Sequence, residues 1–244
     1  MKKAYFDCSN GISGNMIIGA LLNAGMPLNY LHSEIRKILP NEVFQLDYEL
    51  IKDANHNAVY FDVILAPHNP NLRFEDVPRR NLHDIITLIN ESTLDQTIKA
   101  FAISIFNRLG EAEARAHQCP IEQIDFHEDG AIDTIIDIVG SVIGLKYLGI
   151  DEIYASPLNV GSGTIKYRYG TLVIPAPATF ELIKHIHYYN SDHKGELVTP
   201  TGAAIISTLA KSFLNIKHLK DDVIAYGSPI KSSTINAWLK IIIS

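Results

Sequence analysis

The chain has 244 residues, 47% of them apolar and 20% charged, with a formal net charge of −6. That length holds one large domain or two small ones, with enough apolar residues for a sizeable core. The 21 Lys and Arg residues form no basic stripe, which excludes a dedicated nucleic-acid binder, and no run is long and apolar enough to span a bilayer.

Only two cysteines occur, Cys8 and Cys119, far apart and in no metal-ligand spacing, which excludes a disulfide scaffold or a zinc ribbon and suits a reducing cytosol. The first residues run from Lys2 and Lys3 to Asp7 without the apolar core of a signal peptide, so a cytoplasmic protein is expected.

Ala4-Tyr5-Phe6 reads as a short buried strand, followed by a glycine-punctuated loop over 7–14 and an apolar helix over 16–24 that ends at Gly25. A second helix is expected over 28–39, stopped by Pro40. Residues 44–50 and 58–65 alternate or are rich in β-branched residues, and the polar tract 53–57 between them is a hairpin signal. The proline- and asparagine-rich stretch 67–80 is the expected mobile loop. A helix pair follows over 82–90 and 94–116, the second with Ile98, Phe101, Ile105 and Leu109 on one face. Another helix spans 133–148 and ends at Gly149. Short strands with glycine turns occupy 152–173, and two proline-opened helices are expected over 177–185 and 200–213. The expected fold is α+β: a single mixed domain with short strands, a β-hairpin and several packed helices.

Three places could carry chemistry. In Asp7-Cys8-Ser9-Asn10-Gly11-Ile12-Ser13-Gly14-Asn15-Met16, a strand feeds a glycine loop that opens a helix, a natural anion site. Its spacing fits neither the Walker A loop nor the dinucleotide fingerprint, and a tight turn in which Ser13 caps the helix explains it equally well. Glu113 and His117 share one helix face; His127 and Glu128 follow ten residues later, then Asp133 and Asp137 four apart. Imidazoles with carboxylates suit a borderline divalent metal or acid–base work. Asp133 could instead be a first-turn helix carboxylate, whereas Asp137 stands among Ile135, Ile136, Ile138 and Val139 and needs a partner if buried. Third, Pro175-Ala176-Pro177-Ala178-Thr179 and Thr199-Pro200-Thr201-Gly202-Ala203-Ala204 each place hydroxyls at a helix start, as a ligand or a plain cap would require. The remaining histidines are dispersed; His185 and His187 would share a strand face.

These strings, in this order, resemble the LarC family, which inserts nickel into the pincer cofactor, a pyridinium bis-thiocarboxylate mononucleotide used by lactate racemase and its relatives. The matching pieces include Gly11-Ile12-Ser13-Gly14, Ala112-Glu113-Ala114 with His117, Phe126-His127-Glu128, Asp137-Ile138-Val139-Gly140, Val160-Gly161-Ser162-Gly163 and Thr199-Pro200-Thr201-Gly202. The likeness spans nearly the whole chain as an N-terminal domain over 1–244.

The resemblance implies a cytoplasmic, lyase-class nickel chelatase acting in lactate racemase maturation. It would metallate pyridinium-3,5-bisthiocarboxylic acid mononucleotide through two sulfurs and a ring carbon. The reaction depends on CTP with Mg or Mn, bound by a C-terminal domain that this sequence lacks and that a partner chain would supply; a homo-oligomer is expected. On that basis His127, Glu128, Asp133 and Asp7 are the expected catalytic residues. Gly11, Ser13, Gly14, Asn15, Thr199, Thr201 and Gly202 would bind the mononucleotide, and His127, Glu128, Glu113 and His117 would bind nickel. Three local departures stand out: Asn15 where the family has Asp, only His68 where many members carry a histidine-rich run, and Tyr169-Gly170 where it has His-Gly. They leave open a non-catalytic nickel-delivery protein, or a degenerate paralogue that only binds a phosphate ligand.

Overall fold

The chain opens on β1 (Lys2–Asp7), whose Ala4, Tyr5 and Phe6 are all buried, as befits a strand with neighbours on both edges. In the computed structural model, residues 1–52, 56–65, 79–126, 131–167, 170–216, 223–231 and 237–244 are described. The expected loop 67–80 lies outside them except for Arg79 and Arg80, and so do His127, Glu128, Asp129 and Gly130.

After β1 come α1 (Gly14–Asn23) and α2 (Leu28–Ile35). Ser13 caps α1, its hydroxyl accepting from the Met16 amide at 3.4 Å. The second helix stops short of the expected 28–39. Beyond Ile35 the chain tightens into i→i+3 turns (Lys37 N to Glu34 O, Ile38 N to Ile35 O), while Arg36 donates to the Glu42 and Phe44 carbonyls. The predicted hairpin is present: β2 (Phe44–Lys52) pairs antiparallel along its whole length with β3 (Asn57–Leu65).

The helical layer continues through β4 (Arg80–Asn81), α3 (Leu82–Glu91), α4 (Gln96–His117), β5 (Asp125–Phe126) and α5 (Ile132–Tyr147). An Asn81–Asp84 capping box starts α3 and Asp95 caps α4. Strands β6 (Ile150–Ala155), β7 (Leu158–Asn159), β8 (Gly161–Ser162), β9 (Thr164–Tyr167) and β10 (Gly170–Val173) follow, then α6 (Pro177–Ile183), β11 (Tyr188–Tyr189) and β12 (Gly195–Glu196). His185 and His187 sit in the turn between α6 and β11 and share no strand face.

The last helix, α7 (Pro200–Leu209), is shorter than the expected 200–213, because Ala210 to Phe213 form β13, parallel to β6. Two strands not read in the sequence complete the list, β14 (Val223–Ser228) and β15 (Leu239–Ile243). The main sheet is mixed, in the order β13-β6-β1-β15-β14-β3-β2. Leu239, Ile241 and Ile243 are buried while Lys240 and Ile242 stay half-exposed, so one face carries the main core. Tyr60, Tyr226 and Trp238 with Ile51 and Ala58 form a separate small cluster. Helix α1 reaches the sheet closely because Gly19 and Gly227 have no side chain; a Cβ on Gly227 would overlap the Met16 carbonyl oxygen. The result is the expected α+β domain. Among the described residues, no helix is long and apolar enough to cross a membrane.

Candidate functional site

Loop 7–14 and the entry to α7, far apart in sequence, meet in space. Ile12 donates to the Leu197 carbonyl (2.8 Å) and accepts from the Thr199 amide (3.1 Å), with Ile12 and Val198 bridged in parallel. Gly11 takes a φ of +91°, and a side chain there would collide with Leu197. Gly202 sits directly on Ile12 and Ser13, where a Cβ would overlap the Ile12 carbonyl. The glycines singled out in both segments thus let two backbones touch.

The expected phosphate cradle at the start of α1 is occupied by the protein's own groups. Asn15 Oδ1 accepts from the Ser13 hydroxyl and, at 3.0 Å, from the Met16 amide. An aspartate could accept both bonds equally, so Asn15 leaves the local fold intact. The Asp137 carboxyl packs on the Cα of Gly14. Asp7 Oδ1 accepts from the Ser9 amide at 3.1 Å, a local turn contact. Buried Cys8 donates its amide to Ser156 Oγ, and burial pushes its thiol far above the usual range, so it is no nucleophile.

Asp137 behaves as its apolar setting demands. Desolvation, aided by the nearby charge of exposed Asp133, raises its carboxyl to about 8. The folded protein therefore keeps this proton up to about pH 8, whereas the unfolded chain releases it near 3.8, the ordinary value for an aspartate. Between those values the unfolded state binds fewer protons, so stability falls as pH rises. Asp137→Asn is expected to stabilise the protein by about 2 kcal/mol at neutral pH, or roughly 4–8 °C in Tm, and to lose that advantage at about pH 4. Thermal melts at the two pH values check it.

Beside this junction lies a cleft of about 800 Å³. Its walls include Glu113 and His117 from α4, Thr199 and Thr201 from the α7 entry, and Thr134 from α5. Phe126 and Ala131, the residues that bracket 127–130, also line it. Ala131 is buried with a φ of +63°, a left-handed conformation that disfavours a side chain and marks the cleft wall as strained. His117 Nε2 lies 3.6 Å from Glu113 Oε2, so one helix turn offers an imidazole and a carboxylate together. Among the described residues, no group of three or more His, Cys, Asp or Glu could hold a metal ion.

Also in the lining, Thr199 caps α7, its Oγ1 accepting from the Gly202 amide (3.1 Å), and Thr201 stands in the first turn, where the helix dipole favours an anion. The capping explanation of Thr199 and Ser13 is therefore correct as far as it goes, but Thr199 also faces the cleft.

The structure brings Glu113, His117, Thr199 and Thr201 into one space. Gly11, Ser13, Gly14 and Asn15 are not among its lining residues, nor is the 175–179 segment. Asp133 is an exposed first-turn residue of α5. His127 and Glu128 lie outside the described residues.

Lining residues not anticipated from the sequence include Arg79, Cys119, Asp125, Thr134 and Glu196. For Glu196 a signal existed, an acid just before the apolar pair Leu197-Val198, but one residue of a two-residue strand has no periodicity to reveal its burial.

The chain belongs to the nickel insertion protein family, whose model matches residues 4–244. A relative in Dictyoglomus thermophilum is 40% identical over 244 residues, covering 99% of this chain and 60% of the relative. The pyridinium-3,5-bisthiocarboxylic acid mononucleotide nickel insertion protein of Desulfitobacterium hafniense is 39% identical over 241 residues, covering 99% of this chain and 58% of its own length. A Geotalea daltonii relative is 41% identical over 232 residues, covering 95% of this chain and 57% of the relative. The chain thus spans about three-fifths of the length of these relatives. No solved structure gives a significant match.

Proposed function

We propose that this chain is the metal-handling part of a cytoplasmic, lyase-class nickel chelatase. It would place nickel into pyridinium-3,5-bisthiocarboxylic acid mononucleotide to make the nickel-pincer cofactor of lactate racemase-type enzymes. The observation that carries the reading is that one cleft gathers both kinds of group. Its lining holds both the imidazole–carboxylate pair His117–Glu113 and the hydroxyls and helix start at Thr199 and Thr201. A cation and a phosphate-bearing ligand can be held there side by side.

In this reading Glu113 and His117 supply two donors, and the two sulfurs of the substrate, with His127 or Glu128, complete the nickel's coordination. Thr199 and Thr201 take the phosphate. CTP, with Mg or Mn, acts through a C-terminal partner, and assembly as a homo-oligomer is part of the same proposal. Nickel is cargo here and leaves with the product.

The test is the position of nickel. Crystals grown with nickel(II) and the mononucleotide should give an anomalous-scattering peak in the cleft, within bonding distance of Glu113 or His117. A peak elsewhere rejects the site. Asn15 and Tyr169, where the resembled family has Asp and His, favour a second reading, a degenerate paralogue; a nickel-delivery protein is the other alternative. Equilibrium dialysis separates delivery, because a carrier binds nickel equally well without the mononucleotide. A degenerate paralogue binds the mononucleotide but places no nickel on it.

A further inference from the structure

The cleft holds a further carboxylate, that of Glu196. Glu196 lies on β12, which pairs with β8 through Gly195–Ser162 and Glu196–Gly161. Gly161 has a φ of +80° and lies so close to the Gly195 carbonyl that a Cβ would overlap it. From Glu196 the extended chain runs along Ile12 into the Thr199 cap, so its backbone is fixed on both sides. The side chain lines the cleft that also contains Glu113, His117, Thr199 and Thr201. Its Oε1 is buried and has no hydrogen-bond partner among the described residues. A buried carboxylate oxygen left unsatisfied is disfavoured, and a fold that retains one at a ligand cleft has placed a group for the ligand to meet.

We propose that Glu196 is the base that takes the ring proton when nickel bonds to the ring carbon of the mononucleotide, an inference that rests on the function proposed above. Forming that bond breaks a C–H bond on the ring. The electron pair of the C–H bond becomes the nickel–carbon bond, and the proton passes to the Glu196 carboxylate. Nickel stays divalent and nothing is oxidised or reduced. Glu113 and His117 are then left to hold the metal, which a single residue cannot do while it also receives the proton.

The electrostatics agree with this role. Burial raises the Glu196 carboxyl to about 7, so it can accept a proton at neutral pH and release it afterwards. The other titratable or charged groups lining the cleft are Arg79, Glu113, His117, Cys119 and Asp125.

The experiment compares wild type with Glu196→Gln, which keeps the volume, and Glu196→Asp, which withdraws the carboxylate by one methylene. Each full chain is supplied with the C-terminal part of a relative and CTP. Nickel and mononucleotide binding are read by dialysis, and single-turnover insertion is read on both sides of neutral pH. Glu196→Gln should bind both ligands within about twofold of wild type, yet insert about a hundredfold more slowly or worse. The wild-type rate should rise as pH passes through about 7, and that rise should be absent in Glu196→Gln. Glu196→Asp should fall between the two. Insertion by Glu196→Gln at the wild-type rate overturns the proposal, as does a loss of insertion matched by an equal loss of mononucleotide binding. Failure of the wild type itself to insert nickel overturns the proposed function, and the role of Glu196 with it.

Discussion

Gly202→Ala is expected to lower the stability of the unliganded protein by about 2–3 kcal/mol, or roughly 5–10 °C in Tm. Gly202 is in the first turn of α7, buried, with Ile12 and Ser13 lying where a β-carbon would go. The obstruction is backbone, the Ile12 carbonyl and the Ser13 Cα, and cannot rotate away like a side chain. Relief requires α7 and loop 7–14 to separate, which strains the Thr199–Ile12 and Ile12–Leu197 hydrogen bonds joining them. The α7 entry lines the cleft through Thr199 and Thr201, so under the proposed function mononucleotide affinity should fall as well. The order of effects decides what the glycine is for. A residue needed only to let a phosphate approach would leave the melting temperature of the free protein unchanged and weaken binding alone. Thermal melts without ligand distinguish the two.

Much of this arrangement was legible in the sequence where local chemistry governs it. Alternating residues in 44–50 and 58–65, with a polar tract between, gave the β2–β3 hairpin, and glycines with an N-capping serine gave the β1–loop–α1 unit. Glu113 and His117, read as one helix face, are one face of α4. Long-range pairing was not legible. Ala210 to Phe213 continue the helical pattern of α7, and only the edge of β6 draws them into β13. The strand β15 joins β1 with Ala4 opposite Ile243, a pairing between the two ends of the chain that no sequence window contains.

The candidate site followed the same division. The residue types at 113, 117, 199 and 201 were visible, but their sharing of one cleft was not, since it depends on α4 and α7 packing together. Gly11 and Gly202, expected at the phosphate, also set how closely two backbones approach. In sequence the two uses look alike, because both demand a missing Cβ.

His127→Ala is expected to have the largest effect on activity. Imidazole is both a good nickel ligand and a base poised near neutral pH. Its immediate neighbours on the described chain, Phe126 and Ala131, line the cleft, and Ala131 holds a strained left-handed conformation beside it. As a metal ligand, His127 would lower nickel affinity roughly tenfold to a hundredfold when removed. As a partner in proton transfer it would lower the rate by about 10²–10⁴ at unchanged affinity. Dialysis of nickel alongside the rate assigns the role, and Glu196→Gln, which is expected to keep nickel bound, provides the contrast.

Formation of the metallated mononucleotide tests most directly whether this chain forms the nickel–carbon bond proposed for it. Wild-type chain, the C-terminal part of a relative, CTP, nickel(II) and the mononucleotide are mixed, and the product is weighed by mass spectrometry. The account predicts a product carrying one nickel and lacking the ring hydrogen from wild type, with about a hundredfold less or worse from His127→Ala. Unmetallated mononucleotide recovered from the wild-type reaction, or equal yields from the two proteins, would contradict it.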